Sequence, residues 1–415
     1  MYLDSERFAT RAQAIHDLLA QWSPALKTEV LPLEQVCSRI CAQDLFSQNT
    51  LPVCRSAQAD GIAVRFADFA DGMPDSSSWQ KGVDYVLADT GDDFDDAFDT
   101  VIQVEDLVYD ASGAFSIVPE SPISQGQLIS AQGSTLRTDE LLVKAGTTLR
   151  PMHLCLLAAG GISTVEVVKQ PVVAYIPTGN ELVSPGTKPL RGQNIESNGL
   201  MINSYLSEWG AVMLPYPILR DDRQLLEETL SDALQKADIV LINGGSSMGS
   251  EDYTVRLLEQ CSSFLQHGIK SIPGIPVALA AVNGKPVINL PGPPFAAFCA
   301  LDWCVRALVY RQQGRTLPPR QTVTAVLLQE VRKPIPYEFY LRLQVFQTPK
   351  GFCAQPLSWG SRFAQAMNSN ALVVIPMGID GYQKGDVIEA ELLYGQHDVS
   401  TYEKGSDLPG ILPHT

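Results

Sequence analysis

Apolar and polar positions along this chain fall into three stretches with different periods. Near the start, Phe8, Ala12, Ile15, Leu19 and Trp22 recur at helical spacing and predict an amphipathic helix. From there to about residue 169 the pattern is irregular. Leu31-Pro32-Leu33 precedes a short helical run, short strands and many turn residues follow, and an apolar helix opens at Arg150-Pro151 and stops at Gly160-Gly161.

From about residue 170 to 315, strand and helix patterns alternate. Strands are predicted over 171–176, 212–219 and 239–243, and helices over 198–209 and 222–237. The second helix places Leu226, Leu230, Ala233 and Leu234 inward. Asn283-Gly284 between two apolar runs is a strong hairpin signal, and a long helix from Phe295 closes the block. Such alternation predicts a largely parallel sheet with helices on both faces. The remainder, to about residue 395, reads as strands over 321–331, 337–347, 371–375 and 387–393, which predicts a small β-barrel or sandwich. The last twenty residues read as a loose tail.

At 415 residues the chain has room for two to four domains. A net charge of -16 and a pI near 4.7 argue against nucleic acid or an anionic membrane as the main partner. There is no signal-peptide pattern at the start and no apolar run of membrane-spanning length. The eight cysteines form no C-x-x-C pair, and the five histidines are scattered. Reduced thiols in a cytoplasmic protein without a zinc catalyst are therefore expected. The six aspartates between Asp89 and Asp99 lack the spacing of a calcium loop and read as a solvated acidic loop.

The stretch from Ala237 to Thr254 carries the most chemistry: a buried strand, the Gly244-Gly245 break, then Asp252 and Thr254 before a helix. Backbone N–H donors at such a junction suit a phosphate or another anion. The same residues also fit a plain turn with Asp252 as a helix cap, and the segment alone leaves both readings open. In a parallel α/β sheet ligands bind beyond the carboxyl ends of the strands. That rule gathers the Pro177-Thr178-Gly179-Asn180-Glu181 loop, Arg220-Asp221-Asp222, and the glycine loop with Asp252. Carboxylates converging there are what Mg²⁺ and phosphate recognition needs, although Asp221 or Asp222 would equally cap the following helix. A fourth loop, Leu290-Pro291-Gly292-Pro293-Pro294, ends a strand and presets the closing helix.

These loops, in this order, resemble the MoeA-type molybdopterin molybdenumtransferases, whose relatives include the gephyrin E domain. Leu31 to Arg39 is similar to the family's N-terminal signature, and Ser56-Ala-Gln-Ala-Asp-Gly-Ile-Ala-Val64 resembles N-S-A-M-D-G-Y-A-V. Ile176 to Leu182 resembles S-T-G-D-E-L, Gly244 to Thr254 resembles G-G-V-S-x-G-x-x-D-Y-T, and Leu290 to Pro294 resembles L-P-G-N-P. The resemblance implies a multidomain α/β protein. An N-terminal α+β stalk (1–45 and 146–169) carries an inserted β-rich domain (46–145). A MoaB/Mog-like three-layer α/β domain (170–315) and a small C-terminal β-barrel (316–395) follow.

The implied reaction inserts molybdate into adenylylated molybdopterin with Mg²⁺ and releases AMP. It implies an elongated homodimer, with each site shared between the α/β domain of one subunit and the inserted domain of the other. An adenylyltransferase of MoaB/Mog type and molybdoenzymes are the implied protein partners. Carried over by position, Asp60, Glu181 and Asp252 are the catalytic candidates, and Glu181 and Asp221 the metal ligands. Pterin, phosphate and oxyanion contacts fall to Thr90, Thr178, Gly179, Asn198, Gly244, Gly245, Ser246, Ser247, Gly249, Pro291, Gly292 and Arg342.

The chain departs from the family where cations are expected. K-P-G-K-P reads Ile272-Pro-Gly-Ile-Pro276, R-R-x-G-E-D reads Ser130-Ala-Gln-Gly-Ser-Thr135, and A-P-V-P after Gly91 reads Asp92-Asp93-Phe94-Asp95. Lys270 lies two positions before the first altered lysine. Two functions follow: a molybdenumtransferase with an altered anion pocket, or a carrier or sensor that binds the pterin or finished cofactor without inserting metal.

Overall fold

The computed structural model describes residues 7–111, 113–118, 122–245, 253–357, 363–396 and 399–401. The chain divides into two compact units, Thr28–Val168 and Met1–Lys27 with Lys169–Thr415.

In the first unit the Thr28–Pro32 strand pairs antiparallel with Thr164–Val168. Val36, Leu45, Val143, Leu157 and Val165 close a core around them and the Pro151–Ala159 helix. A three-stranded antiparallel sheet has Gly61–Val64 at its centre, between Tyr85–Ala88 and Thr100–Gln103. Its two faces bury separate clusters, Ile62, Val64 and Ile102 on one side and Ala63, Ala88 and Val101 on the other. This follows from side chains alternating across a strand.

The second unit opens with α1 (Arg11–Ala20), capped by Thr10, whose hydroxyl accepts from the Gln13 N–H at 3.2 Å. Its buried face is Ala14 and Leu18, continued by Trp22, whereas Ala12 is exposed. The helical period was legible, but the burial stripe is rotated from the predicted one, because the helix seats on a sheet face with Val173, Leu279 and Leu308.

That sheet is built from β1 (Val172–Pro177), β2 (Val212–Pro215), β3 (Ile239–Asn243), β4 (Phe264–His267), β5 (Ala278–Val282) and β6 (Lys285–Leu290). The order is β2-β1-β3-β6-β5-β4. Pairs β2/β1, β1/β3 and β3/β6 are parallel, and β6/β5 and β5/β4 are antiparallel. The hairpin between β5 and β6 turns at Asn283 and Gly284, with φ of 51° and 71°, as the Asn-Gly pair predicts. β4 was not legible, because its residues are all partly exposed and follow two serines. β2 is shorter than its predicted span, ending at Pro215, which cannot extend a ladder as a donor.

Helices α2 (Asn198–Glu208), α3 (Arg223–Lys236), α4 (Tyr253–Cys261), α5 (Pro294–Ala300) and α6 (Arg306–Gln312) cover the sheet. A π turn over Leu301–Val305 joins α5 to α6. The two faces of the sheet bury separate cores. Val173, Ile202, Ile288 and Leu308 lie on one, and Ala174, Leu230, Val240 and Leu258 on the other, giving three layers.

The C-terminal strands β7 (Thr322–Leu327), β8 (Glu338–Thr348), β9 (Gly351–Pro356), β10 (Ala371–Ile375) and β11 (Val387–Leu392) close into a barrel in the order β8-β9-β7-β11-β10-β8. Val323, Ala325 and Leu327 point inward and alternate with exposed residues, the period of a barrel wall. β9 escaped the sequence pattern because it begins with Gly and ends with Pro, which read as turn residues. The closing tail, 402–415, lies outside the described residues.

Candidate functional site at the carboxyl edge of the sheet

β2 lies on one side of β1 and β3 on the other, so the chain reverses its direction of travel across the sheet at β1. The crevice beyond the carboxyl ends of β1 and β3 is therefore the switch point where α/β sheets bind ligands. Three loops meet there through main-chain bonds. The Thr178 N–H donates to the Asn243 carbonyl at 2.9 Å, and the Gly179 N–H to the Leu219 carbonyl at 3.0 Å. The Gly244 N–H donates to the Leu290 carbonyl at 3.1 Å.

Two glycines permit this approach. Gly244 has φ 117°, and a Cβ there would sit 2.3 Å from the Thr178 carbonyl oxygen. Gly179 has φ 149°, and a Cβ there would sit 2.6 Å from a Glu181 carboxylate oxygen. Both conformations suit glycine; at Gly244 backbone fills the side-chain site as well, whereas at Gly179 only the movable Glu181 carboxylate occupies it.

Behind the crevice lies a buried amide network. Asn243 Nδ2 donates to the Pro291 carbonyl at 2.8 Å, and Asn198 Nδ2 donates to Asn243 Oδ1 and to the Gly292 carbonyl, both at 2.8 Å. Tyr175 donates its hydroxyl proton to Glu196 Oε1 at 2.8 Å and lies 2.9 Å from Asn243 Oδ1. Burial, then the Glu196 charge, pushes the Tyr175 hydroxyl pKa up, so it stays a donor. Glu196 Oε1 also accepts from the Gly199 N–H at 2.9 Å, which fixes the start of α2. Asn198 Oδ1 is buried and unpartnered among the described residues.

The structure thus brings Thr178, Gly179, Glu181, Asn198, Gly244, Gly245, Pro291 and Gly292 to one edge. Asp221 joins them in a bracing role: its carboxylate accepts from Thr178 Oγ1 at 3.3 Å and from the Asn180 N–H at 3.2 Å. Its neighbour Asp222 is the helix cap, accepting from the Leu225 N–H at 3.0 Å. The sequence left the roles of these two aspartates open, and the hydrogen bonds separate them. The Glu181 side chain is exposed and makes no hydrogen bond or ion pair with any described residue. Ser246, Ser247, Gly249 and Asp252 lie outside the described residues.

Three further predicted residues lie on other elements. Arg342, on β8, lays its guanidinium 4.4 Å from the Phe295 ring centroid, and burial lowers its pKa. It has no ion-pair partner among the described residues, unusual in so acidic a chain. In the first unit, Asp60 Oδ1 accepts from the Thr90 N–H at 2.6 Å and from the Thr90 hydroxyl at 2.7 Å. The hydroxyl bond first and the backbone bond second hold its carboxyl below the usual range. Nearby, Arg55 organises the acidic loop, with Nε 2.7 Å from Asp96 Oδ1 and Nη1 2.6 Å from the Phe98 carbonyl. Sequence reasoning missed Tyr175, Glu196, Asn243 and Asn289. The two asparagines carry a signal, a polar residue inside an otherwise buried strand end.

A glycine-braced crevice at the switch point of a three-layer sheet, followed by a closed small barrel, defines an α/β protein built to bind a ligand at its sheet edge. Residues 9–161 match the MoeA N-terminal region (domain I and II), and residues 174–311 match a family described as probable molybdopterin binding domain. A molybdopterin molybdenumtransferase of Staphylococcus aureus strain COL is 26% identical over 396 residues, spanning 91% of this chain and 94% of the relative. One from Haemophilus influenzae is 29% identical over 322 residues, spanning 74% and 78%. A solved molybdopterin biosynthesis MoeA protein from Pyrococcus horikoshii superposes with a TM-score of 0.76 at 27% identity, covering 94% of this chain and all of that one. The chain belongs to the MoeA-type molybdopterin molybdenumtransferase family.

Proposed function

We propose that this protein performs the metal-insertion step of molybdenum cofactor biosynthesis, transferring molybdate into adenylylated molybdopterin and releasing AMP. The observation that carries this reading is the convergence of the Thr178–Glu181 turn, Asp221 and the Gly244-Gly245 turn on one crevice, with the Glu181 carboxylate unpaired among the described residues. Glu181 and Asp221 offer the hard oxygen donors that Mg²⁺ prefers. Bound there, Mg²⁺ supplies Lewis-acid polarisation of the phosphoanhydride. Among the described residues no group of three metal-binding side chains forms; Asp252, the third carboxylate of the reading, lies outside them.

The chain's own groups then divide the work. Gly179 and Gly244 let backbone approach the phosphates, and the Asn198–Asn243 pair holds the Pro291-Gly292 wall. The Arg342 guanidinium, which has no ion-pair partner among the described residues, is the cation for the molybdate dianion. The Asp60–Thr90 pair from the inserted domain, a homodimeric assembly, a cytoplasmic setting, and supply of the adenylylated pterin by a MoaB/Mog-type enzyme belong to the same proposal. So does the four-part division of the chain given above. Among the described residues no helix is long and apolar enough to cross a membrane.

A second reading, a pterin or cofactor carrier that inserts no metal, draws on Ile272 and Ile275. Both pack into or against the barrel core, where the resemblance expects lysines. The test is reconstitution. Given adenylylated molybdopterin, Mg²⁺ and molybdate, the protein should yield a product that activates a cofactor-free molybdoenzyme. Glu181→Gln should lower the yield at least about tenfold, as loss of one charged ligand implies. A pterin-bound protein that never activates the acceptor favours the carrier.

A further inference from the structure

We propose that Asn289 is a positioning residue that aims the Gly245 N–H into the ligand crevice as a phosphate donor; this rests on the proposed pterin-phosphate site. Asn289 sits in β6 opposite Ile242 and is fully buried. Its Nδ2 donates to the Gly244 carbonyl at 2.7 Å and to the Ile242 carbonyl at 3.2 Å. The Gly244 carbonyl is therefore held on the β6 side of β3. A trans peptide is planar, with its C=O and N–H pointing in opposite directions. The Gly245 N–H then points away from β6, and β1 with its Thr178–Glu181 turn lies on that other side of β3, at the switch-point crevice. Gly245 is exposed, and its N–H donates to no described residue.

A second observation shows what the Asn289 amide is for. Its Oδ1 is buried and unpartnered among the described residues. An unmet buried acceptor is unfavourable, and an aliphatic residue of similar shape would avoid it. The bonds that Asn289 does make both fall on carbonyls of the β3 end, so the side chain serves the orientation of that turn. An N–H with no acceptor among the described residues, fixed before the ligand arrives, suits an anion, because no reorganisation is then needed on binding.

The direct test follows the Gly245 amide resonance in ¹⁵N-glycine-labelled full-length protein, assigned with Gly245→Ala, during titration with molybdopterin. The second arm compares molybdopterin with its dephosphorylated form on Asn289→Leu. The proposal expects a downfield shift of Gly245 on binding. It also expects Asn289→Leu to weaken molybdopterin about tenfold or more, the effect of one hydrogen bond to a charged group, with the dephosphorylated form unchanged. Pterin binding without a Gly245 shift, or equal weakening of both forms, overturns the role of Asn289 and leaves the proposed function standing. No pterin binding by the unmodified protein overturns both.

Discussion

At Gly244 the sheet edge has no space for a side chain. Alanine there would combine an unfavourable left-handed backbone with a Cβ 2.3 Å from the Thr178 oxygen. We expect Gly244→Ala to cost about 1–3 kcal/mol of stability and to weaken pterin binding, read by thermal melting and titration. Unchanged binding would separate the turn from the ligand. At Asp60 the issue is protonation. Its folded pKa is depressed by the Thr90 hydroxyl and then by the Thr90 N–H. Its stabilising contribution is thus complete above the ordinary carboxylate pKa and is lost as pH falls through the depressed value. Thr90→Val should move the Asp60 titration upward in carboxylate NMR, so that the acid loss becomes smaller and is complete at higher pH; an unmoved titration would deny the clamp. At this scale the sequence was partly legible. Motif spacing marked Thr178, Glu181 and Gly244, but Tyr175, Glu196, Asn243 and Asn289 act through contacts 21 to 68 positions apart, which no local pattern reveals.

Among the elements, the loop before α3 shows how adjacent identical residues divide labour. Asp222 caps the helix and Asp221 braces the Thr178–Asn180 turn. Asp222→Ala should cost about 1 kcal/mol in denaturant unfolding and leave Mg²⁺ dependence alone. Asp221→Asn should leave the helix intact and raise the Mg²⁺ needed for half-maximal activity. The opposite pattern would exchange their roles. Elements with strong periodicity or turn chemistry were legible: β3 entire, the β5–β6 hairpin from Asn283-Gly284, and the inward stripe of α3. Those whose identity depends on tertiary neighbours were not. β4 is partly exposed throughout and is defined by its pairing with β5, and β9 by its place between β8 and β7.

Within the larger unit, the barrel is tied to the three-layer sheet by a buried charge cluster. Asp302, in the π turn between α5 and α6, accepts a hydrogen bond from Arg320 just before β7 and lies 3.7 Å from Arg306. Arg320 Nε in turn lies 3.9 Å from Glu391 on β11. Removing the shared carboxylate leaves two half-buried guanidiniums without their main counter-charge. Asp302→Ala should therefore destabilise the protein by about 3–5 kcal/mol in chemical unfolding; a change under 1 kcal/mol would show that the barrel is held by its apolar contacts alone. Apart from the Asp302–Arg306 pair, four positions apart on one helical run, the cluster was not legible, because Arg320 lies eighteen positions from Asp302, Glu391 lies on another strand, and neither carries a motif.

Metal insertion at the β1–β3 crevice can be followed in a single turnover. Purified protein is mixed with adenylylated molybdopterin, Mg²⁺ and molybdate, and AMP is followed in time. AMP release should require molybdate and be lost in Glu181→Ala. Tight binding of the adenylylated pterin with no AMP released at saturating molybdate would contradict it and leave a carrier.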